Sequence, residues 1–152
     1  MLNGAGVRVR MIFKIYVGAL YLPASMSDGE AILHENQPRR LLLSMLRDLS
    51  ADTVLSSIND ALRETLTPEQ RAPLDTRMQR FNAVFEKLGE VKRGMEIAID
   101  YTPQSGTVIA INGAEKERIP GEDFNSALLR VWIGDRPRDP DLQKALLGIH
   151  PN

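Results

Sequence analysis

The sequence predicts an α+β fold in which helices cover one face of an antiparallel sheet. Strand-like runs with period-two alternation occur at residues 5–22, 95–101 and 107–111. Apolar residues at steps of three or four mark amphipathic helices over residues 54–66, 74–88 and 124–132. The two kinds of segment do not alternate regularly, which argues against a parallel α/β sheet.

Each element has a local reason. Residues 5–22 (AGVRVRMIFKIYVGALYL) are rich in Val, Ile, Phe and Tyr and end at Pro23. They suffice for two strands, or for one strand bent at Gly18. Ser27 as N-cap with Glu30 three residues on predicts a short helix to His34. Arg40–Arg47 (RLLLSMLR) reads as a buried strand. Ser50 caps the next helix, whose stripe is Val54, Leu55, Ile58, Ala61, Leu62 and Leu66. Thr67-Pro68-Glu69-Gln70 carries a capping box, and Pro73 predicts a break near Ala72. The following helix presents Leu74, Met78, Phe81, Phe85 and Leu88 and stops at Gly89. Met95–Tyr101 and Thr107–Ile111 form a hairpin about a Pro-Gly loop. Asn112-Gly113 turns the chain again toward a short strand at 115–119. Phe124, Ala127, Leu128, Val131 and Trp132 make one helix face ending at Gly134, and Asp139-Pro140 opens a last short helix before Gly148.

Composition limits the function classes. The chain has 152 residues, a length that predicts a single domain over 1–152. With 43% hydrophobic and 26% charged residues it is neither disordered nor fibrous. Its 19 basic and 20 acidic residues give a net charge of −1, against the basic surplus of a nucleic-acid binder. The absence of cysteine removes disulfides, thiol nucleophiles and thiolate metal sites. His34 and His150 lack ligand spacing, so no metal or other cofactor is expected. No apolar run is long enough to span a bilayer, and no signal-peptide plan opens the chain. Leu2-Asn3-Gly4-Ala5-Gly6 directly after Met1 reads like the middle of a domain, as if from a longer precursor.

Few residues suggest chemistry. Gly4-Ala5-Gly6 precedes a strand rather than opening a helix, so it offers no phosphate site. Asp135, Asp139 and Asp141 stand among prolines and fit a capped loop better than a metal site. No G-x-S-x-G elbow occurs. Arg8 is different. Its guanidinium is a fork of five donors matched to a carboxylate. Tyr16 lies an even number of residues later, which can place it on the same sheet face. An arginine and a phenol on one apolar face suit an amphiphile with an anionic head. The competing reading makes Arg8, Arg10 and Lys14 a solvated strand face. Trp132 and Tyr101 read as core, Met11, Met45, Met78 and Met95 as gap-filling core residues, and His34 as an exposed helix end.

Several motifs, in order, resemble the chalcone isomerase-like superfamily, most of all its bacterial members. They are Gly4-Ala5-Gly6-Val7-Arg8, Phe13 through Leu22, Leu46-Arg47-Asp48-Leu49-Ser50, Gly106-Thr107 through Asn112-Gly113, Ile119 through Phe124, Leu129 through Gly134, and Leu142 through Gly148. The resemblance spans nearly the whole chain. It implies an open-faced β-sandwich: a large antiparallel sheet, a helix layer over it, and a ligand cleft between them. The resemblance implies that the family's usual first strands, expected before Leu2, are not part of this sequence. Bacterial members often carry a secretion signal upstream, which implies a periplasmic or secreted location for such a precursor and a cytoplasmic one without it.

The resemblance implies two functional types. Plant chalcone isomerases close a chalcone to a flavanone using an arginine that Arg8 resembles. Their threonine is replaced by Tyr16, and the region Leu49–Ser56 lacks their tyrosine, lysine and asparagine. Val131 stands in place of their hydroxyl residue. One oriented donor can be worth ~10²–10³ in rate, so these losses argue against that reaction. The second type binds fatty acids, pairing the same arginine with a tyrosine at the position of Tyr16. The expectation is therefore a non-catalytic domain holding a fatty acid or similar apolar carboxylate. Arg8 pairs with the carboxylate, Tyr16 donates to it, and Met45, Leu55 and Trp132 line the tail. An isomerase or intramolecular lyase using Arg8 is one alternative; an interaction module with a closed cleft is another. The expectation requires Arg8 to lack a carboxylate partner within the protein. The oligomeric state is not legible.

Overall fold

A computed structural model of the chain describes residues 1–149; His150, one of the two histidines read above, lies outside the described residues. Strands β1 (Leu2–Arg10) and β2 (Phe13–Tyr21) form a hairpin, followed by helix α1 (Gly29–His34), β3 (Arg39–Met45), β4 (Leu49–Ser50) and α2 (Ala51–Thr65). Next come α3 (Pro68–Arg71), a 3₁₀ turn (Ala72–Leu74), α4 (Asp75–Leu88), β5 (Glu90–Val91), β6 (Glu96–Thr102), β7 (Gly106–Ile111) and β8 (Ala114–Ile119). Helices α5 (Glu122–Ile133) and α6 (Pro140–Leu146) follow. Six strands pair antiparallel in the order β1-β2-β3-β6-β7-β8, while β4 and β5 make a separate short pair.

Alternation decides which sheet face is covered. Leu41, Leu43 and Met45 of β3, Ile97, Ile99 and Tyr101 of β6, and Ile109 and Ile111 of β7 all point to the buried side. Helix α6 packs on β1 and β2, α5 on β7 and α4 on β8, and α2 rests on α4 and α5. Phe81, Phe85 and Phe124 fill the far end of the core. The fold is thus a large antiparallel sheet with helices on one side.

Local signals mostly act as read. Ser50 accepts from the Thr53 amide, Thr67 and Gln70 close their capping box, and Pro73 interrupts the helix in a 3₁₀ turn. Asn112 and Gly113 both take positive φ, as a tight hairpin turn requires. Of the two arrangements open for the first segment, the structure has two strands, turning at Met11-Ile12, with the first strand starting already at Leu2. Two readings need correction. Met11 is therefore not a core filler; it sits at the turn with φ 58° and is 87% exposed. Asp28, not Ser27, caps α1, accepting from the amides of Glu30 and Ala31.

Candidate functional site

The Gly4-Ala5-Gly6 element seats a helix beside the site. A Cβ at Gly4 would collide with the Ala145 carbonyl, and one at Gly6 with the Ala145 Cβ. The two glycines let α6 lie directly on β1. That close seat brings Asp139, the N-cap of α6, to Arg8 on the same strand.

Arg8 pairs directly with Tyr16 across the β1–β2 hairpin, so both side chains share the helix-facing side. A register irregularity follows Arg8 and leaves Ile15 as an extra residue in β2, also turned to the cleft. Tyr16 accepts a hydrogen bond from the Trp132 indole N–H at 2.8 Å. No acceptor takes the Tyr16 proton among the described residues. Burial pushes the phenol above its usual pKa; the Trp132 hydrogen bond and the Arg8 charge oppose that push, and Asp139 adds to it. The phenol is therefore neutral at ordinary pH, with a hydrogen left to donate.

Between sheet and helices lies a cavity of about 100 Å³. Its walls are apolar: Ile15, Leu43, Met45 and Ile97 from the sheet, Leu49, Val54 and Ile58 from β4 and α2, and Val131, Trp132 and Leu142 from α5 and α6. Thr53 and Ser57 add hydroxyls, while Arg8, Arg10, Tyr16, Arg138 and Asp139 supply the polar part.

Arg8, Tyr16, Met45 and Trp132 line one cleft. Leu55 does not line it. It is buried in the core at 7% exposure, because the turn of α2 presents Val54 and Ile58 to the cavity instead. Arg10 is exposed, as on a solvated face, and also lies on the cleft wall, with no carboxylate partner among the described residues. Asp139 and Arg138 were not read as site residues.

The expectation of an unpartnered Arg8 also needs correction: its Nη1 lies 3.4 Å from Asp139 Oδ2. The two side chains are only 20% and 17% exposed. That is the nearest approach, and no hydrogen bond joins the two side chains. Arg40, by contrast, grips Asp100 with both prongs at 2.8 and 2.9 Å, and Arg77 grips Asp123 at 2.7 and 2.8 Å. The other Asp139 oxygen accepts from the Asp141 and Leu142 amides, 3.1 Å each. Arg138 stands 3.5 Å from Glu64. Three arginines and one carboxylate therefore line the cleft, which leaves it an excess of positive charge.

A half-open antiparallel sheet under a helix layer, with an apolar, cationic cleft between them, defines the class. The chain belongs to the chalcone isomerase-like family, whose model matches residues 1–148. A crystal structure of an Arabidopsis thaliana fatty-acid binding protein is similar, with a TM-score of 0.69 at 15% sequence identity, covering 96% of this chain and 85% of that chain. At that identity the likeness shows the fold. The comparison with curated proteins finds no match.

Proposed function

We propose that the cleft binds a fatty acid or similar apolar carboxylate without transforming it. The observation that carries this reading is the grouping of Arg8, Arg10 and the free Tyr16 proton on a cavity whose walls are mostly apolar. A carboxylate there gains charge-assisted hydrogen bonds in a partly desolvated setting. The fold shared with a fatty-acid binding protein supports the same reading. The guest must share Arg8 with Asp139 or draw it away; its own carboxylate then takes over as the counter-charge, so Arg8 is not left unpaired in a largely buried place.

Size sets a second condition. A cavity of about 100 Å³ is smaller than the ~150 Å³ that takes up benzene. A long chain therefore requires Met45 and neighbouring side chains to move, which suits the unbranched, adaptable methionine. Short and medium chains fit with less rearrangement. A periplasmic location belongs to the same proposal, supported by the resemblance to bacterial members; cell fractionation of the source organism tests it.

The Arg8–Asp139 pair favours a second reading, in which the cleft is closed and the domain serves as an interaction module. Denaturing extraction with mass spectrometry, joined to fatty-acid titration of the parent and Arg8→Ala, separates the two. Binding predicts co-purified acid and an affinity at least about tenfold weaker in Arg8→Ala. No extracted lipid and identical titrations would favour the closed module.

A further inference from the structure

The β1–β2 hairpin carries a feature that the cleft does not use. Its two-residue turn is Met11-Ile12, and Met11 takes φ 58°. Such turns ordinarily use glycine or asparagine, because a positive φ strains other residues. Here large apolar side chains occupy it, 87% and 86% exposed. Phe13, Val9 and Leu46 stand exposed beside them. Among the described residues, most large hydrophobic side chains left in solvent lie on or next to this one hairpin. The fold gains no packing from the tip, so the tip calls for an explanation outside the fold.

The surrounding charge identifies the partner. Arg10, Lys14 and Arg47 flank the tip, with the Arg47 guanidinium 4.2 Å over the Phe13 ring. None of the three has a carboxylate partner among the described residues. No Asp or Glu occurs before Asp28, and the nearby Asp48 already accepts from the Arg93 amide. An apolar tip in a basic collar matches the layering of an anionic lipid surface, with acyl boundary below and phosphate above. We propose that this hairpin docks the protein on an anionic bilayer surface by inserting Met11 and Ile12. Arg8, Arg10 and Tyr16 of the same hairpin line the cleft, so docking would bring the cleft close to the lipid surface. The docking itself does not depend on what the cleft holds.

Co-sedimentation with vesicles tests this. The parent should partition onto mixed phosphatidylcholine–phosphatidylglycerol vesicles at low salt, hardly at all onto phosphatidylcholine alone, and be released by high salt. Met11→Ser/Ile12→Ser should weaken partition at least about tenfold while keeping the parent's thermal midpoint and fatty-acid titration. Lys14→Gln/Arg47→Gln should weaken it similarly, at about fivefold per basic residue. Three results would overturn the proposal: no partition of the parent onto the anionic vesicles, partition unchanged in the tip variant, or a solution dimer that the tip variant dissolves. The last would make a second copy of the chain the occupant of the tip.

Discussion

Asp139 uses its two oxygens differently. Oδ1 caps α6 through the Asp141 and Leu142 amides, and Oδ2 faces Arg8 at 3.4 Å. Asparagine caps a helix about as well as aspartate. Asp139→Asn therefore removes the internal counter-ion while keeping the cap. Fatty-acid affinity should rise about five- to tenfold, on the order of 1 kcal/mol, with little change in thermal midpoint. Calorimetric titration checks it; weaker or unchanged binding would mean that Asp139 does not compete with the guest. Sequence order hides this residue's second role. Asp139-Pro140 announces a helix start, but nothing local says that the helix lies on β1 beside Arg8. The Leu55 reading fails for a related reason. Helical periodicity identifies the buried stripe of α2 but not which part of that stripe faces a cavity rather than the core.

At the scale of elements, α1 is held by a buried cation that sequence reading did not single out. Arg39 donates from Nη2 to the carbonyls of Ile32, Leu33 and Glu35, and from Nη1 to Asn125 Oδ1. Its guanidinium stacks 5.2 Å from the Tyr101 ring. Burial lowers its pKa, and Glu122 opposes that shift. The carbonyls at the end of α1 have lost their helical partners, so one guanidinium satisfies several at once. Arg39→Met should destabilise by about 3 kcal/mol, because those buried acceptors lose their donor; urea unfolding midpoints check it. The β1–β2 turn shows the limit of local signals from the opposite side. Strand alternation on both sides was legible, but Met-Ile carries no turn chemistry, so the reversal had no sequence mark.

Over the whole molecule, near-neutral net charge conceals an uneven distribution. The first 27 residues hold cations and no acid. Elsewhere several carboxylates pair with arginines. Hydrogen bonds from Arg130, Arg77 and Arg80 hold Glu30, Asp123 and Glu117 below their usual values of 4.5, 3.8 and 4.5. A lowered folded pKa gives stability that is complete above the usual value and lost as pH falls through the folded one. The thermal midpoint should therefore hold steady down to about pH 5 and fall below about pH 4. Added salt should blunt that fall, since these pairs are partly exposed. The antiparallel sheet and its helix layer were legible because alternation and capping are local; the strand order, and the bulge at Ile15 that sets Arg8 opposite Tyr16, carry no such local mark. The partner of Arg8 and the apolar tip were not legible either, because each depends on how distant or weakly marked segments meet.

The central claim is that a cationic, phenol-bearing cleft selects an apolar chain by its carboxylate. Calorimetric titration of one medium-chain fatty acid against its methyl ester tests this directly in the unaltered protein. The account predicts that the acid binds at least about tenfold more tightly than the ester. Equal affinity for the two, or no binding of either, would contradict it.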